Sequence, residues 1–596
     1  MVFTQEPVPL DVDVSPTNTS EKGSSPELSH QSPNNPKISL KDYLHHASIT
    51  RANEMAMEQE RQRLKQNRPP QSFIKGWFSR DSTRRFPTPP DIQRAPLLLP
   101  TSCFDDLTPR PAHETTATEN PDLNTARISS WINITYLIIT EILGPSGAPW
   151  SFAQLGYGPG VALYTLFGAL AAYSGWLLWQ MYLHLDSAAY PVRNYADVFA
   201  RLLGARMEIC VNVAQTLFLV CVMGLTILMN GQAIAQMSRG PGGGGEGGIC
   251  FVACLVMFVV AGFAVSQVRT LRRMGWLAHC AAWLNVVIVV AVMVLVTRYS
   301  PNFQTVMASF GPQWGEAPIV TFSGMPPSNM TTGGIGRFIA SINGVNQAVT
   351  SFGGTSLFVF FLAEMRHPWD FWKSLLCAEA FMYIIYVVYG TFVYHYHGQF
   401  TYTPITQGIS NYGWQTALNV INIVISLIGC GIYGNIGLKI AYNEIFVKVL
   451  HFPSLSSSRG KIWWAILAPL YWILAFTLAA AIPQFAFISA LVGALFIGGL
   501  SYTLPALAAV SFWIQRDAVE IGEAPSPSQI SIGHTNFKSR KYYHAFMKRP
   551  LFNLFNVVYF LGGLVICTLG CYAAITQLVG AFRSNITTSF TCKSPV

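Results

Sequence analysis

The sequence predicts an all-α polytopic membrane protein: eleven transmembrane helices, arranged as a 5+5 inverted repeat with helices 1 and 6 broken, plus an eleventh helix. Three observations carry this prediction. Of the 596 residues, 51% are apolar and only 11% charged, too greasy a balance for an ordinary soluble chain. The apolar residues gather in runs of about 20, the length a helix needs to cross a hydrocarbon core. Two of these runs, five apart, are interrupted by clustered glycine and proline.

The chain opens with a polar arm over residues 1–128, rich in Pro, Ser, Thr and Asn, with 15 Lys and Arg against 16 Asp and Glu. Such a composition cannot bury enough apolar surface to fold alone, so the arm reads as cytoplasmic and largely disordered. Its stretch 40–66, LKDYLHHASITRANEMAMEQERQRLKQ, is charged and rich in helix formers. It reads either as a solvated helix or as one that docks beneath the membrane domain, for gating or for cytoplasmic regulatory or trafficking partners. No charged, apolar, small-residue signal opens the chain, so the arm is expected to stay on the side where it was made. Residues 129–596 hold 23 Lys and Arg against 13 Asp and Glu. The formal charge of +9 therefore belongs to the membrane part, which argues against a nucleic-acid-binding tail.

The membrane domain, 129–580, divides into spans at 129–156, 159–183, 207–235, 249–267, 274–297, 338–364, 373–396, 415–439, 462–482, 485–513 and 552–580. Residues 581–596 form a short outer tail. Eighteen Lys and Arg, from Arg193 to Arg549, fall on the connections after even-numbered spans, against five on the other side. The positive-inside bias places the N-terminus in the cytoplasm and the C-terminus outside or in a lumen. The sequons at Asn329 and Asn585 then face outward, where they could be glycosylated; those at Asn18 and Asn133 do not. Most of the eleven cysteines lie inside apolar runs and none forms C-x-x-C, so neither a disulfide framework nor a metal site is expected.

The interruptions carry the functional signal. Span 1 reads ITEILGPSGAPW over 139–150, and span 6 reads SFGGTS over 351–356. Unwound backbone cannot face lipid, where each unpaired polar group costs several kcal/mol, so it must line a cavity or be buried in protein. Matching interruptions in two inverted halves point to the central site of a secondary transporter. The alternative for each break is a simple kink or packing point. The site is expected at Gly144, Ser146, Gly147 and Ala148 with Phe352, Gly353, Gly354 and Thr355. Amides near Ala148, Trp150 and Ser151 suit a carboxylate, and carbonyls near Phe352 and Gly353 suit an ammonium. A ligand with both groups on neighbouring atoms is an α-amino acid. Glu141, about 12 residues into span 1, reads as a proton carrier for coupled uptake, or else as a neutral carboxyl hydrogen-bonded among helices. Glu379 in span 7 is a weaker second candidate.

At these residues the chain resembles the amino acid/auxin permease family, in its fungal form. WSFAQLGYGPG at 150–160 is similar to the end of span 1 and the following turn. FGGTS and AEMRHPWDFWKSL (352–356, 363–375) resemble span 6 and its inner loop, and IPQFAFISALVGAL with SYTLPAL (482–495, 501–507) resembles spans 9 and 10. The similarity covers about residues 125–580. It implies eleven spans, a leucine-transporter-like inverted repeat, and amino acid import driven by protons or sodium. It also implies a bundle of spans 1, 2, 6 and 7 that rocks against the rest. Two positions depart from the pattern: Pro145 is an added proline, and Thr355 stands where many members have histidine. A sodium site in this fold uses a hydroxyl pair in span 8, whereas SLIGCGIYGNIGLK (426–439) offers Gly429–Cys430–Gly431 there, which favours protons.

The expected function is thus proton-coupled amino acid import by alternating access. The alternatives are a transport-fold amino acid sensor and a sodium-coupled carrier. No H-E-x-x-H zinc motif, Walker A loop or nucleophile elbow is present, which argues against an enzyme, a cofactor or a metal. The long arm resembles that of fungal members, which live beside a proton-pumping membrane, and a plasma membrane is expected over a vacuolar one.

Overall fold

The computed structural model describes residues 39–66, 127, 129–240, 248–266, 271–332, 336–448, 450–455, 457–481, 485–523, 534–583 and Cys592. Most of the polar arm and of the outer tail, including Asn585, therefore lies outside the described residues. Regular structure among the described residues is helical, apart from isolated bridges at Ser129–Met365 and Pro301–Ile409.

Among the described residues, nine helices are long and apolar enough to cross a membrane. They take the places of expected spans 2, 3 and 5 to 11. The place of span 1 is held by two helices, Trp131–Ile142 and Ala148–Leu155, separated by a single tight turn. That of span 4 is held by the shorter apolar helix Phe251–Ser266. Short helices also form outside the spans, at Tyr195–Leu203, Phe303–Phe310 and His534–Lys548.

Side-chain placement inverts the pattern of a soluble protein. Val256, Met257 and Val260 of span 4, and Val287, Val290 and Val294 of span 5, are exposed on the outer surface. Gln215, Asn230, Asn346 and Asn419 are buried between helices instead. In water such an apolar belt would drive association; against lipid it costs nothing, while the polar side chains find partners only inside.

Helix ends follow local chemistry. Ser130 caps span 1 by accepting the Asn133 N–H, and Asn411 caps span 8 by accepting the Trp414 N–H. On Tyr195–Leu203, Asn194 and Asp197 form a reciprocal capping box. Span 10 is less regular: it widens into π-helical turns at Gly493–Ile497 and Gly499–Thr503 before continuing to Glu523. Turns of this kind often mark functional positions.

One element was not legible from spacing. Cys250 and Cys592, 342 residues apart in sequence, form a disulfide. The expectation of no disulfide framework is corrected to one cross-link among the described residues, between the start of span 4 and the tail. Cysteine spacing could not reveal it, because it joins two ends that only the fold brings together.

The helix Leu40–Gln66 packs against the end of span 2 and the segment after it. Tyr43 stands edge-on to Tyr190, with ring centroids 5.3 Å apart, and the Arg201 guanidinium lies 4.7 Å from the Tyr43 ring centre. Beside them Arg51 and Arg127 share the Oδ2 of Asp186, at 2.5 and 2.7 Å, and each also pairs with Glu54. Burial pushes the Glu54 carboxyl above the usual range against the pull of both arginines. Burial also works against the Arg127 charge, but Tyr182 and Asp186 outweigh it and hold its pKa above the ordinary value.

Candidate functional site

The break in span 1 follows from its two prolines. Gly144 precedes Pro145 and is pushed out of the helical region, to φ −117° and ψ 74°. Pro145–Gly147 then makes one tight turn, and the helix restarts at Ala148 with Pro149 in its first turn, where a missing N–H costs nothing. Span 6 stops at Ser351, passes through Phe352, Gly353 and Gly354, and restarts by way of Thr355–Leu357 into Phe358–Glu364.

The two breaks meet. A Cβ on Gly354 would lie 2.5 Å from Ile142 Cγ1, and one on Gly353 would lie 1.8 Å from Ile497 Cγ2 of span 10. Glycine is required at both places by close approach. Gly147 lies equally close to the Gln347 side chain of span 6, and Ser151 donates to the Gly344 carbonyl at 2.7 Å. Gly144 differs: it is exposed, and a Cβ there would meet nothing within 4 Å. Ser146 is half-buried and Ala148 fully buried. Thr355 does not aim at the opposite break; its hydroxyl donates to the Ser501 carbonyl of span 10 at 3.1 Å.

Side chains from five other spans hold the two broken segments. Tyr386 of span 7 donates to the Ile142 carbonyl at 2.9 Å and accepts the Gly144 N–H at 3.0 Å. Tyr433 of span 8 donates to the Glu141 carbonyl at 2.7 Å, and Tyr502 of span 10 to the Val349 carbonyl at 3.2 Å. Gln215 of span 3 donates to the Ser356 carbonyl at 3.1 Å. Tyr164 of span 2 donates to the Ser351 hydroxyl at 3.1 Å, since that hydroxyl itself donates to the Gln347 carbonyl. The sequence reading missed these tyrosines. Their signal was present, because a tyrosine buried in mid-span must satisfy its hydroxyl. Which backbone group it satisfies is not written locally.

Glu141 sits directly before the break and is buried. Among the described residues, neither of its carboxylate oxygens has a hydrogen-bond partner, and the neighbouring Tyr433 hydroxyl bonds its backbone carbonyl instead. Glu379 is likewise buried with both oxygens unpartnered among the described residues. An unpartnered carboxyl inside a membrane-spanning helix is a candidate for handling a proton or a cation.

Loops cover the junction on the side of the span 1–2 turn. Tyr157 and Gly158 donate backbone N–H groups to the carbonyls of Phe322 and Ser323, at 3.0 and 2.8 Å. Trp150 and Gln154 both donate to the Thr332 hydroxyl, at 3.2 and 3.1 Å. At the opposite end, Ser129 exchanges backbone bonds with Glu364 and Arg366, tying the base of span 1 to the end of span 6.

Comparison with known proteins places the chain in a family. The family model described as transmembrane amino acid transporter protein matches residues 127–515. The "N amino acid transport system protein" of Neurospora crassa is 24% identical over 474 residues, covering 78% of this chain and 88% of the relative. A "Transmembrane transporter" of Fusarium pseudograminearum is 25% identical over 261 residues; the match covers 44% of this chain and 51% of that relative, about half its length. Among solved structures, a Na+-coupled sialic acid symporter in a substrate-bound, outward-open state is similar at a TM-score of 0.45 and 11% identity, over 77% of this chain and 91% of that one. The matching family consists of membrane transporters and not enzymes, and with more than half of its length covered by the family model, this chain belongs to the transmembrane amino acid transporter protein family.

Proposed function

We propose that the chain is a secondary carrier that imports amino acids by alternating access, coupled to protons, with its site at the junction of the two broken helices. The close approach of Ile142 to Gly354 carries this reading, because it brings the end of the first half of span 1 against the span 6 break. The carboxylate of the amino acid would lie toward Gly144 and the start of Ala148–Leu155, and its ammonium toward the carbonyls of Glu141, Ile142, Phe352 and Gly353. The bundle of spans 1, 2, 6 and 7 would rock against the remaining spans, so that the site opens first to one side and then to the other.

Glu141 would carry the proton. Its burial without a partner among the described residues fits a group that gains and loses charge as access alternates. The N-terminus would be cytoplasmic and the C-terminus outside, in a plasma membrane. The Cys250–Cys592 disulfide supports that orientation, since both residues fall on the outer side of the topology and disulfides persist in oxidising compartments. Asn329 is exposed on the same side, as glycosylation requires.

The test is accumulation of radiolabelled amino acids in proteoliposomes, over a substrate panel, with and without an inward pH gradient or sodium. Gradient-driven accumulation without sodium is the expected result. Binding without accumulation would leave a sensor and sink the carrier reading.

A further inference from the structure

One hydroxyl takes up both kinds of backbone group that an amino acid head needs. Tyr386 Oη donates to the Ile142 carbonyl at 2.9 Å and accepts the Gly144 N–H at 3.0 Å. These two groups belong to residues on either side of Leu143, at the point where span 1 unwinds. An ammonium needs the acceptor and a carboxylate needs the donor. The Tyr386 hydroxyl is both donor and acceptor, and so serves the two with a single atom.

We propose that Tyr386 is an internal stand-in for the substrate head group, competing with the amino acid for the Ile142 carbonyl and the Gly144 N–H. The proposal rests on the carrier reading and assigns this residue a place in its cycle. Two further observations support it. Gly144 is exposed with open space beside it, so a ligand can approach the N–H half of the pair directly, while the Ile142 half is buried behind it. The ring of Tyr386 is fully buried, packed edge-on to Phe352 of the other break with centroids 5.2 Å apart, and 5.9 Å from the Tyr164 ring. Displacing the hydroxyl therefore presses on the span 6 break, which couples head-group binding to movement of the second half of the site.

The exchange has a physical purpose. A carrier must reorient after its substrate has left, and unwound backbone in a closing, dry site costs several kcal/mol per unpaired group. If the hydroxyl returns to the pair as the amino acid leaves, the break stays satisfied through the return step. The cost is weaker substrate binding, because each arriving head group must first break two hydrogen bonds.

The test is Tyr386→Phe in the full-length carrier in proteoliposomes, with tritiated L-alanine, L-glutamine, L-leucine and L-phenylalanine as probes. The half-saturating concentration should fall about fivefold to a hundredfold, the worth of the two hydrogen bonds no longer competed for. The maximal rate of net uptake should fall as well, while exchange against internal substrate is retained. A merely structural tyrosine would lower net uptake and exchange together, without tightening binding. Half-saturation that is unchanged or raised overturns the proposal and leaves the carrier reading standing; wild-type vesicles that accumulate none of the common amino acids sink both. Tyr386→Leu, which also lacks the hydroxyl, should move affinity in the same direction. If neither variant reaches the membrane, a substrate-bound wild-type structure decides: Tyr386 released from Ile142 and Gly144 supports the proposal, and Tyr386 still bonded to both overturns it.

Discussion

Gly354 stands so close to Ile142 that a single added carbon would fall within 2.5 Å of the isoleucine side chain. The residue that ends the first half of span 1 thus packs against backbone in the span 6 break. Glycine there is a condition for the two breaks to touch, and on the proposed reading their contact joins two kinks into one site.

The neighbouring position gives the sharper test. A Cβ on Gly353 would penetrate Ile497, so Gly353→Val should abolish uptake while the protein still reaches the membrane. Gly353→Ala should cost about 1–3 kcal/mol of local packing and lower uptake at least tenfold. Shortening the partner relieves the clash, so Gly353→Ala with Ile497→Ala should recover a substantial share of transport. Failure of the pair to recover, with normal surface expression, would mean that the glycine serves the ligand and not span 10.

Glu141→Gln keeps the shape of the side chain and removes its ability to take up and release a proton. Uptake driven by a pH gradient should fall to the level without a gradient, while exchange of internal for external amino acid continues. A pH-gradient response identical to that of the wild-type carrier rules Glu141 out and moves attention to Glu379, the other buried carboxyl with no partner among the described residues.

Much of this architecture was legible in the sequence, for identifiable reasons. Apolar run length, Pro145 and the Gly353–Gly354 pair act locally, so both breaks could be placed within a residue or two. Groups that satisfy the breaks act across the fold: Tyr386 lies 242 positions from Gly144, and Tyr433 lies 292 from Glu141. No local rule pairs them. Span 10 read as an ordinary helix, yet its π-helical turns at Gly493–Ile497 and Gly499–Thr503 present Ile497 and the Ser501 carbonyl to span 6. Thr355 shows the same limit, since its place beside the glycines is local while its hydroxyl bond runs to span 10.

The disulfide makes orientation testable. In intact cells expressing Cys250→Ser, the freed Cys592 should react with a membrane-impermeant maleimide, whereas in the wild-type carrier it should react only after reduction. Labelling of the variant only after permeabilisation would place the tail inside and reverse the topology. Equal labelling of wild type and variant without reduction would show that the cross-link does not form.

The charge cluster beneath span 1 gives the last prediction. Asp186 is fully buried and accepts from Arg51 and Arg127, while its Oδ1 accepts the Val192 N–H at 3.0 Å. Removing Arg127 still leaves Asp186 and Glu54 each paired with Arg51. Arg127→Ala should therefore lower stability by roughly 2 kcal/mol, below the full penalty for a stranded buried charge, and should lower the melting temperature in detergent. Asp186→Asn is the harsher change. It leaves two guanidinium groups sharing Glu54 alone, so like charges face each other where a carboxylate had separated them. It should cost more than Arg127→Ala, and adding Arg127→Ala to it should restore part of the loss by removing one of the two like charges. If the double variant is instead less stable than Asp186→Asn by the full cost of Arg127→Ala, the cluster acts through packing, and its charges do not fasten the Leu40–Gln66 helix to the base of span 1.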